Sequence, residues 1–296
     1  MYFSQYLKEE LGEKVYKVPV DGGFTCPNID GSKGTGGCVY CKNESFRPDY
    51  VTSRDTIEQQ VTTGIERLQN RSVERYMVYF QSYTNTYADP DPLKSLYDRA
   101  LQVKNVVGLC IGTRPDCVDE KTLELLSDYS GEGYHVWLEL GLQTSNDVTQ
   151  SRVNRLHTFE KYGDVIDQLR EYPGIRACVH VMFGLPGENT ADMVRTIKDV
   201  RDPRLDGIKF HQTQVIRGTE LADWYKRDRY QPISLERYKF LVVNALERLP
   251  ADLVIHRLVA SSSPKWVLAP EWDVSKHEIH RDIKNNLRNS DILRGL

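Results

Sequence analysis

The chain has 296 residues, 40% of them hydrophobic, and a formal net charge of −3 at pH 7. This length is enough for one large barrel-like domain or for two small domains. The net charge excludes the global basic field of an obligate nucleic-acid binder, although a local basic patch is compatible with it. The sequence contains no apolar run long enough to cross a bilayer, and its charged N-terminus does not resemble a secretory signal. We therefore predict a cytoplasmic protein without a membrane partner.

The chain alternates apolar runs typical of strands with amphipathic runs typical of helices. The predicted strands cover residues 14–20, 75–81, 106–112, 135–142, 175–184 and 207–216. The predicted helices cover 53–69, 119–129, 160–170, 189–200 and 234–249, and a further helix starts at Asp91 as N-cap with Pro92 in its first turn. Apolar strands that alternate with helices imply a parallel sheet covered by helices. Six such units predict an α/β fold, an open (β/α)6 barrel, while a doubly wound sheet is compatible with the same pattern.

The last part of the chain departs from this alternation. Residues 253–260 predict one more strand, residues 261–263 a serine-rich turn, and the residues from about 275 a charged helix. We predict a core domain over 1–250 and a C-terminal strand and helix extension, 251–296, that packs on the core.

Six cysteines are present, and because the cytoplasm keeps thiols reduced they do not predict a disulfide framework. Three of them form the pattern Cys26-x11-Cys38-x2-Cys41 around a glycine-rich segment that can wrap round a ligand. Thiolates suit iron–sulfur clusters or zinc. A zinc site would need a fourth ligand, such as Cys110 or Cys117. The position of the cysteine cluster after the first strand, where strand ends form the active face of a barrel, favours a 4Fe–4S cluster with one open iron.

Eight short motifs fall at or just after the predicted strand ends. They are GGFTCPN at 22–28, GGCVYC at 36–41, YFQSYTNTY at 79–87, GTRPDC at 112–117, ELGLQT at 139–144, NRLHT at 154–158, FGLPGE at 183–188 and GTEL at 218–221. This ordered set resembles the YhcC/YtqA group of radical S-adenosylmethionine (SAM) proteins, which is related to the elongator catalytic-subunit group. The first cysteine gap is longer than the Cys-x3-Cys-x2-Cys spacing of the wider superfamily, and it is the form that this group has.

The resemblance implies a radical SAM partial (β/α)6 barrel whose loop 22–47 holds a 4Fe–4S cluster on Cys26, Cys38 and Cys41. It implies an enzyme that cleaves SAM reductively to a 5′-deoxyadenosyl radical, with a one-electron donor of the flavodoxin or ferredoxin type. Because the elongator group acts on the wobble uridine of tRNA, modification of RNA, and of this uridine first, is the leading hypothesis. A small-molecule or peptide substrate is the alternative, and a zinc-stabilised binding module is a remote one.

Ten residues are candidates for contacts with SAM. Tyr40 offers an aromatic surface for adenine, and the segment after the second strand resembles the one that binds the SAM amino group. Glu139 and Gln143 share a strand face, where they could meet the ribose or the sulfonium. An ion pair between Glu139 and either arginine of the next segment is the alternative, and one of these arginines could bind the SAM carboxylate. The candidates are Tyr40, Gln81, Ser82, Tyr83, Thr84, Glu139, Gln143, Arg152, Arg155 and Gly184.

A local basic region is the candidate RNA contact. Residues 276–296 hold five Lys and Arg against three Asp and Glu, and Lys265 and Trp266 precede them. The alternative is an ordinary amphipathic helix that packs its apolar side on the barrel. The basic residues that a helix would bring near one another are Lys276, Arg281, Lys284 and Arg288, and the apolar ones are Ile279, Ile283 and Leu287. The remaining strand residues His180, His211, Cys110 and Cys178 are interpreted as packing residues.

Overall fold

The computed structural model describes residues 1–52, 54–68 and 73–289. Its strands are β1 (Val15–Val20), β2 (Arg75–Phe80), β3 (Val106–Thr113), β4 (His135–Gln143), β5 (Ile175–Phe183), β6 (Gly207–Gln212), β7 (Val215–Ile216), β8 (Val254–Arg257) and β9 (Val267–Ala269). Its α-helices are α1 (Phe3–Leu11), α2 (Ile57–Glu66), α3 (Pro90–Leu101), α4 (Glu120–Gly131), α5 (Asp147–Arg152), α6 (Phe159–Gln168), α7 (Thr190–Asp199), α8 (Glu220–Lys226), α9 (Leu235–Arg248) and α10 (Lys276–Asn289).

The main sheet has seven parallel strands in the order β1-β2-β3-β4-β5-β6-β8. It curls on itself, since Lys17 of β1 and His256 of β8 approach to 3.3 Å although their strands stand at opposite ends of that order. The predicted α/β partial barrel is therefore confirmed, with one strand more than six. That seventh strand comes from the part of the chain predicted to be an extension.

Helices cover the outside of the sheet because each buries one apolar stripe against it. The start of α3 differs from the prediction: Asp89 is the N-cap and Pro90 the first helical residue. Two successive Asp-Pro pairs offer the same start signal, and the helix begins at the first of them. In α2, Thr56 caps the helix through a reciprocal pair of hydrogen bonds with Gln59, so this helix begins later than predicted.

The C-terminal part contributes to both sheets. The predicted strand 207–216 is wrong in its second half: β6 ends at Gln212, and β7 pairs antiparallel with β9 in a small second sheet. In α10, Ile279, Ile283 and Leu287 are buried in the main core cluster, as the amphipathic interpretation expects. The side chain of Arg288 and residues 290–296 lie outside the described part of the chain. Within the described part, no helix is long and apolar enough to cross a membrane.

Candidate active site

The carboxyl ends of the strands enclose a cavity of about 710 Å³. Ten of the thirteen predicted site residues line it: Cys26, Cys38, Tyr40, Cys41, Gln81, Tyr83, Thr84, Glu139, Gln143 and Arg155. These residues come from the ends of β1, β2 and β4 and the segments after them, and the parallel sheet brings those ends to one edge. The roles of the ten residues remain predictions, but their convergence on one cavity is a fact of the fold.

Three of the predicted residues do not line the cavity. Ser82 is buried within the segment that follows β2. Arg152, at the end of α5, donates from Nη1 to the carbonyl oxygen of Pro186 at 3.2 Å. Gly184 has a φ of 88°, which suits glycine, and its carbonyl oxygen accepts a hydrogen bond from the Tyr230 hydroxyl at 2.7 Å. Gly184 therefore shapes the turn after β5.

The cysteine loop is fastened to the segment after α5, more than a hundred residues away in sequence. Asn154 donates from Nδ2 to the carbonyl oxygen of Gly37 at 2.7 Å, and Val39 donates its N–H to the Val153 carbonyl oxygen at 3.1 Å. The N–H of Cys41 closes a tight turn on the carbonyl oxygen of Cys38 at 2.8 Å. These bonds explain why two motifs that are far apart in sequence act as one structural unit.

The segment after β2 is held against the same loop. The N–H of Thr84 donates to the Thr25 carbonyl oxygen at 3.2 Å, and the N–H of Tyr83 donates to Oδ1 of Asn43 at 3.0 Å. Tyr83 has a φ of 64°, a left-handed conformation that is unusual for a residue with a side chain. The predicted SAM-contact segment is thus fixed by the cysteine loop itself.

The surroundings of the thiols fit an iron–sulfur cluster. Two donors approach Sγ of Cys38: Nδ2 of Asn28 at 3.6 Å and Nη1 of Arg155 at 3.7 Å. Hydrogen bonds of this kind stabilise thiolates bound to iron. The Tyr40 hydroxyl on the same cavity wall is buried without a partner in the described part of the chain, as expected of a wall completed by a bound group.

The zinc alternative needs four ligands around one ion. Across residues 1–52, 54–68 and 73–289, no three Cys, His, Asp or Glu side chains converge closely enough to hold a single metal ion. Cysteines on three different irons of a cubane lie further apart than the ligands of one ion. Three thiols that share a cavity wall without converging on one point therefore suit the cubane better.

Glu139 is fully buried at the bottom of the cavity, and four side chains surround its carboxylate. Nζ of Lys17 lies 2.6 Å from Oε1, and Nζ of Lys209 lies 2.7 Å from Oε2. Nε2 of His180 is 2.8 Å from Oε2, and Nδ1 of His256 is 3.2 Å from Oε1. The predicted ion pair with Arg152 or Arg155 is therefore wrong. Those arginines follow the end of β4, whereas the lysines of β1 and β6 project into the barrel interior beside the glutamate.

These contacts set the protonation of the buried groups. Burial by itself would raise the pKa of Glu139, but the two lysines hold this pKa well below its ordinary value. Burial lowers the pKa of His180 to about 4 and that of His256 to about 3. At neutral pH the centre therefore holds an ionised carboxylate between two neutral imidazoles, and the ring N–H groups that face Glu139 donate to it.

Two arginines stand beside the thiols, and one was missed in the sequence. Arg155 lines the cavity and donates from Nε to Nε2 of His157 at 3.0 Å. Arg114 pairs through Nε with Oδ1 of Asp116 at 2.9 Å, while its buried Nη1 has no partner among the described residues. Arg114 lies in the GTRPDC motif, so its motif membership was the available signal. The basic and aromatic residues Lys42, His211, Arg257 and Trp266 also line the cavity without having been predicted to do so.

Arg155 and Arg152 provide a matched pair for testing the arginine side of the cavity. Replacing Arg155 with Gln is expected to weaken SAM binding at least about tenfold, because a charged hydrogen bond to a carboxylate contributes on the order of 1.5–3 kcal/mol. Arg152→Gln removes the same charge outside the cavity and should leave the affinity within twofold. The measurement is SAM affinity by calorimetry on anaerobically reconstituted protein. Equal affinities in the two variants would remove Arg155 from the SAM site.

Comparison with known proteins decides the family. The profile of the Radical SAM superfamily matches residues 30–200, and that of the Radical_SAM C-terminal domain matches residues 205–289. The chain belongs to the radical SAM superfamily. Members of the superfamily use a 4Fe–4S cluster and SAM, and this radical SAM enzyme has both as its cofactors.

Relatives of this radical SAM enzyme cover nearly its whole length. It is 40% identical over 270 residues to protein YhcC of Escherichia coli K12, which covers 91% of this chain and 86% of YhcC. It is 34% identical over 297 residues to YtqA of Bacillus subtilis 168, which covers 99% of this chain and 90% of YtqA. The resemblance to the YhcC/YtqA group is confirmed.

The elongator relationship covers less of the sequence. The tRNA uridine(34) acetyltransferase of Dehalococcoides mccartyi is 32% identical over 156 residues, which is 52% of this chain and 33% of that protein. The solved structure of Methanocaldococcus infernus Elp3 with an N-terminal deletion superposes with a TM-score of 0.71 at 17% identity. That match covers 94% of this chain and 63% of the Elp3 chain, and it demonstrates a shared fold.

Proposed function

We propose that this radical SAM enzyme modifies RNA, with the wobble uridine of tRNA as its leading substrate. The observation that carries the proposal is the position of Trp266 on the wall of the cavity, with the ammonium groups of Lys42 and Lys265 close to its ring. The half-chain similarity to an enzyme named for tRNA uridine 34 supports the same substrate class. An electron donor of the flavodoxin or ferredoxin type and a cytoplasmic location belong to the proposal.

Trp266 and Lys42 form one surface of the cavity. Nζ of Lys42 lies 5.0 Å from the centroid of the indole ring, and Nζ of Lys265 lies 5.7 Å from it. The backbone just before β9 is anchored, since the N–H of Arg217 donates to the carbonyl oxygen of Trp266 at 2.7 Å. Gly218 leaves room for the lysine, because a Cβ at that position would lie 2.9 Å from Nζ of Lys42. We call Lys42, Lys265 and Trp266 the tryptophan platform.

This platform has the chemistry of a single-stranded nucleotide site. An aromatic face stacks a base that is turned out of its helix, and ammonium groups beside it contact the phosphates. Trp266 is only partly buried, so it does not serve as a core residue. The small net negative charge of the chain is compatible with this mode, because the two ammonium groups beside Trp266 act locally.

The bound cofactors would supply one-electron reductive cleavage of SAM, and the residues of this chain would do the positioning. Arg155 and Asn28 donate towards Cys38 and keep the loop in one arrangement. The network around Glu139 closes the bottom of the barrel with polar groups that contact its carboxylate. The tryptophan platform would hold the target base at the open side of the cavity.

Charge reversal on the platform tests its contact with RNA. The Lys42→Glu/Lys265→Glu double variant is expected to bind bulk tRNA at least about tenfold more weakly at low salt. Its slope of log affinity against log salt should fall by about 1.5, because two phosphate contacts are lost. Lys161→Glu/Lys226→Glu makes the same charge change on exposed helix surfaces outside the cavity and should preserve both values. Equal losses of tRNA affinity in the two double variants would show that the effect comes from the overall charge and not from the tryptophan platform.

The reaction itself is tested in cells. A deletion strain should lack one tRNA nucleoside, or accumulate its precursor, and the wild-type gene should restore the profile whereas the Cys38→Ala gene should not. Identical nucleoside profiles, together with no tRNA binding by the wild type at low salt, would reject the RNA substrate and leave a small-molecule or peptide substrate in its place.

A further inference from the structure

A row of basic and imidazole side chains crosses three neighbouring strands inside the barrel. In the sheet register, His180 of β5 stands opposite Lys209 of β6, and Lys209 stands opposite Arg257 of β8. His211 lies two residues further along β6, on the same face, beside Met182 of β5. The ring centroids of His180 and His211 are 5.3 Å apart. This wall carries no acidic residue in the register positions just named.

An irregularity in β8 directs Arg257 into the cavity. The pairing of β6 with β8 runs from Ile208 opposite Ile255 to Lys209 opposite Arg257, so His256 is the extra residue of a bulge. In regular strand geometry only one of two consecutive residues would face inwards. Here His256 contacts Glu139 and Arg257 also lines the cavity. The bulge therefore adds a cation to the cavity wall.

Among the described residues, Arg257 has no acidic partner. In the part of the chain that the structure describes, no hydrogen bond or ion pair joins its guanidinium to another residue. The nearby carboxylate of Glu139 is already bound by Lys17 and Lys209. Three cations thus face one carboxylate, which leaves an excess of two positive charges when the imidazoles are neutral.

His211 has an unused polar atom on the same wall. Its Nε2 is buried and without a hydrogen-bond partner among the described residues, and the residue lines the cavity. The charged and titratable groups that act on it are Arg257, His180, Lys209 and Glu139. Burial, followed by the charge of Arg257, holds the pKa of His211 well below its ordinary value, so the ring is neutral and can donate one hydrogen bond.

A half-buried guanidinium without an acidic partner and a buried ring nitrogen without a hydrogen-bond partner line the same cavity, and a ligand that reaches both would complete the arrangement. A planar guanidinium binds a carboxylate or a phosphate through two parallel hydrogen bonds. A neutral imidazole can add a third bond to the same anion. The excess positive charge of the wall would be lowered by such a ligand and by no residue that the structure describes.

We propose that Arg257 and His211 form a subsite for an anionic group, a carboxylate or a phosphate, carried by the substrate. The proposal deepens the RNA function and rests on it for the identity of the substrate alone. SAM also carries a carboxylate, but its expected partner is Arg155, which lies beside Cys38. In the sheet register Arg257 pairs with Lys209, which lies three residues before the carboxyl end of β6. The cysteine loop, in contrast, follows the carboxyl end of β1. The subsite lies deeper than the loop that holds the cofactors.

Inorganic phosphate and acetate are the probes for this subsite. Anaerobically reconstituted protein is saturated with SAM, so that the sites for SAM are filled, and thermal protection is followed as each anion replaces chloride at constant ionic strength. Phosphate is expected to raise the Tm of the wild type with a saturable dose dependence. Arg257→Gln should weaken the apparent phosphate affinity at least about tenfold. Lys276→Gln removes a neighbouring cation that does not line the cavity, and it should keep the wild-type affinity.

His211→Phe provides a second variant, because it retains a ring of similar size and removes the nitrogen. It should also weaken phosphate binding, which keeps the proposal testable if Arg257→Gln does not fold. Absence of protection in the wild type, equal protection in Arg257→Gln, or protection that is seen only in protein without SAM would overturn the subsite. In the last case the anion would share the site of the SAM carboxylate.

The acetate arm separates the two sources of the anion. Stronger protection by acetate than by phosphate assigns the subsite to a carboxylate on the substrate, and the reverse order assigns it to a phosphate. The outcome is independent of the RNA proposal. Phosphate protection that depends on Arg257 in a protein that binds no tRNA would retain the subsite and reject RNA. Normal tRNA modification with no such protection would do the opposite.

Discussion

Replacing any one of Cys26, Cys38 and Cys41 with alanine is expected to abolish the 4Fe–4S cluster. The three thiols line one cavity and are the proposed ligands of three irons, so a variant with two of them cannot hold a cubane that keeps its fourth iron open for SAM. We expect the brown charge-transfer absorbance and the iron content to fall to background after anaerobic reconstitution. Formation of 5′-deoxyadenosine from SAM should be lost with them.

Cys110→Ala and Cys178→Ala are the matched controls for the cysteine prediction. Both thiols are fully buried in strands of the main sheet, and neither lines the cavity. Each replacement should lower stability modestly, as the loss of a small buried group does, while iron content stays at the wild-type level. A Cys38→Ala protein with normal absorbance and iron content would refute the ligand set.

Glu139→Gln is expected to lower the free energy of unfolding by about 3–5 kcal/mol, the cost of removing one partner from a buried ion pair. Lys17 and Lys209 would both lose the carboxylate that neutralises them. Denaturant unfolding under anaerobic conditions measures this loss. Glu58→Gln breaks the exposed pair with Arg99 by the same substitution and should cost less than about 1 kcal/mol.

The pH dependence of stability follows from the same contacts. Because the lysines depress the pKa of Glu139 in the folded state, its contribution is complete above the unfolded value, about 4.3. That contribution is lost as the pH falls through the lower pKa of the folded state, and Glu139→Gln should not show this loss of stability at acid pH.

The role of Glu139 in SAM binding is a separate prediction. Unchanged stability with weakened SAM affinity and normal iron content would make it a SAM contact instead of a structural centre.

The fold could be predicted from sequence because its signals are local. Apolar runs, helix caps and spacing identified the six strand–helix units and the parallel sheet. Among the elements that were missed, β7 and β9 lack a local signal, because they are two and three residues long, too short for a periodicity to appear. The strand β8 was recognised, but whether it joins the main sheet depends on its pairing with β6.

The candidate site also has one part that the sequence could predict and one part that it could not. The cysteines and the motifs at strand ends were recognisable, because their spacing and order are properties of the chain. The partners of Glu139 were not, since Lys17, Lys209 and His256 come from β1, β6 and β8 and meet only inside the curled sheet. His180 and His211 were interpreted as packing residues because a lone strand histidine carries no information about its neighbours.

The sequence by itself determined the family and the cofactors, and it predicted the edge of the sheet at which they would bind, since these follow from motifs read in order along one chain. Only the tertiary structure decided which charges face each other. Burial in a low-dielectric interior makes such contacts strong, and pairing across the barrel brings together residues that are more than a hundred positions apart. A bulge of one residue in β8 turned Arg257 towards the cavity, and no pattern in the sequence marks that bulge.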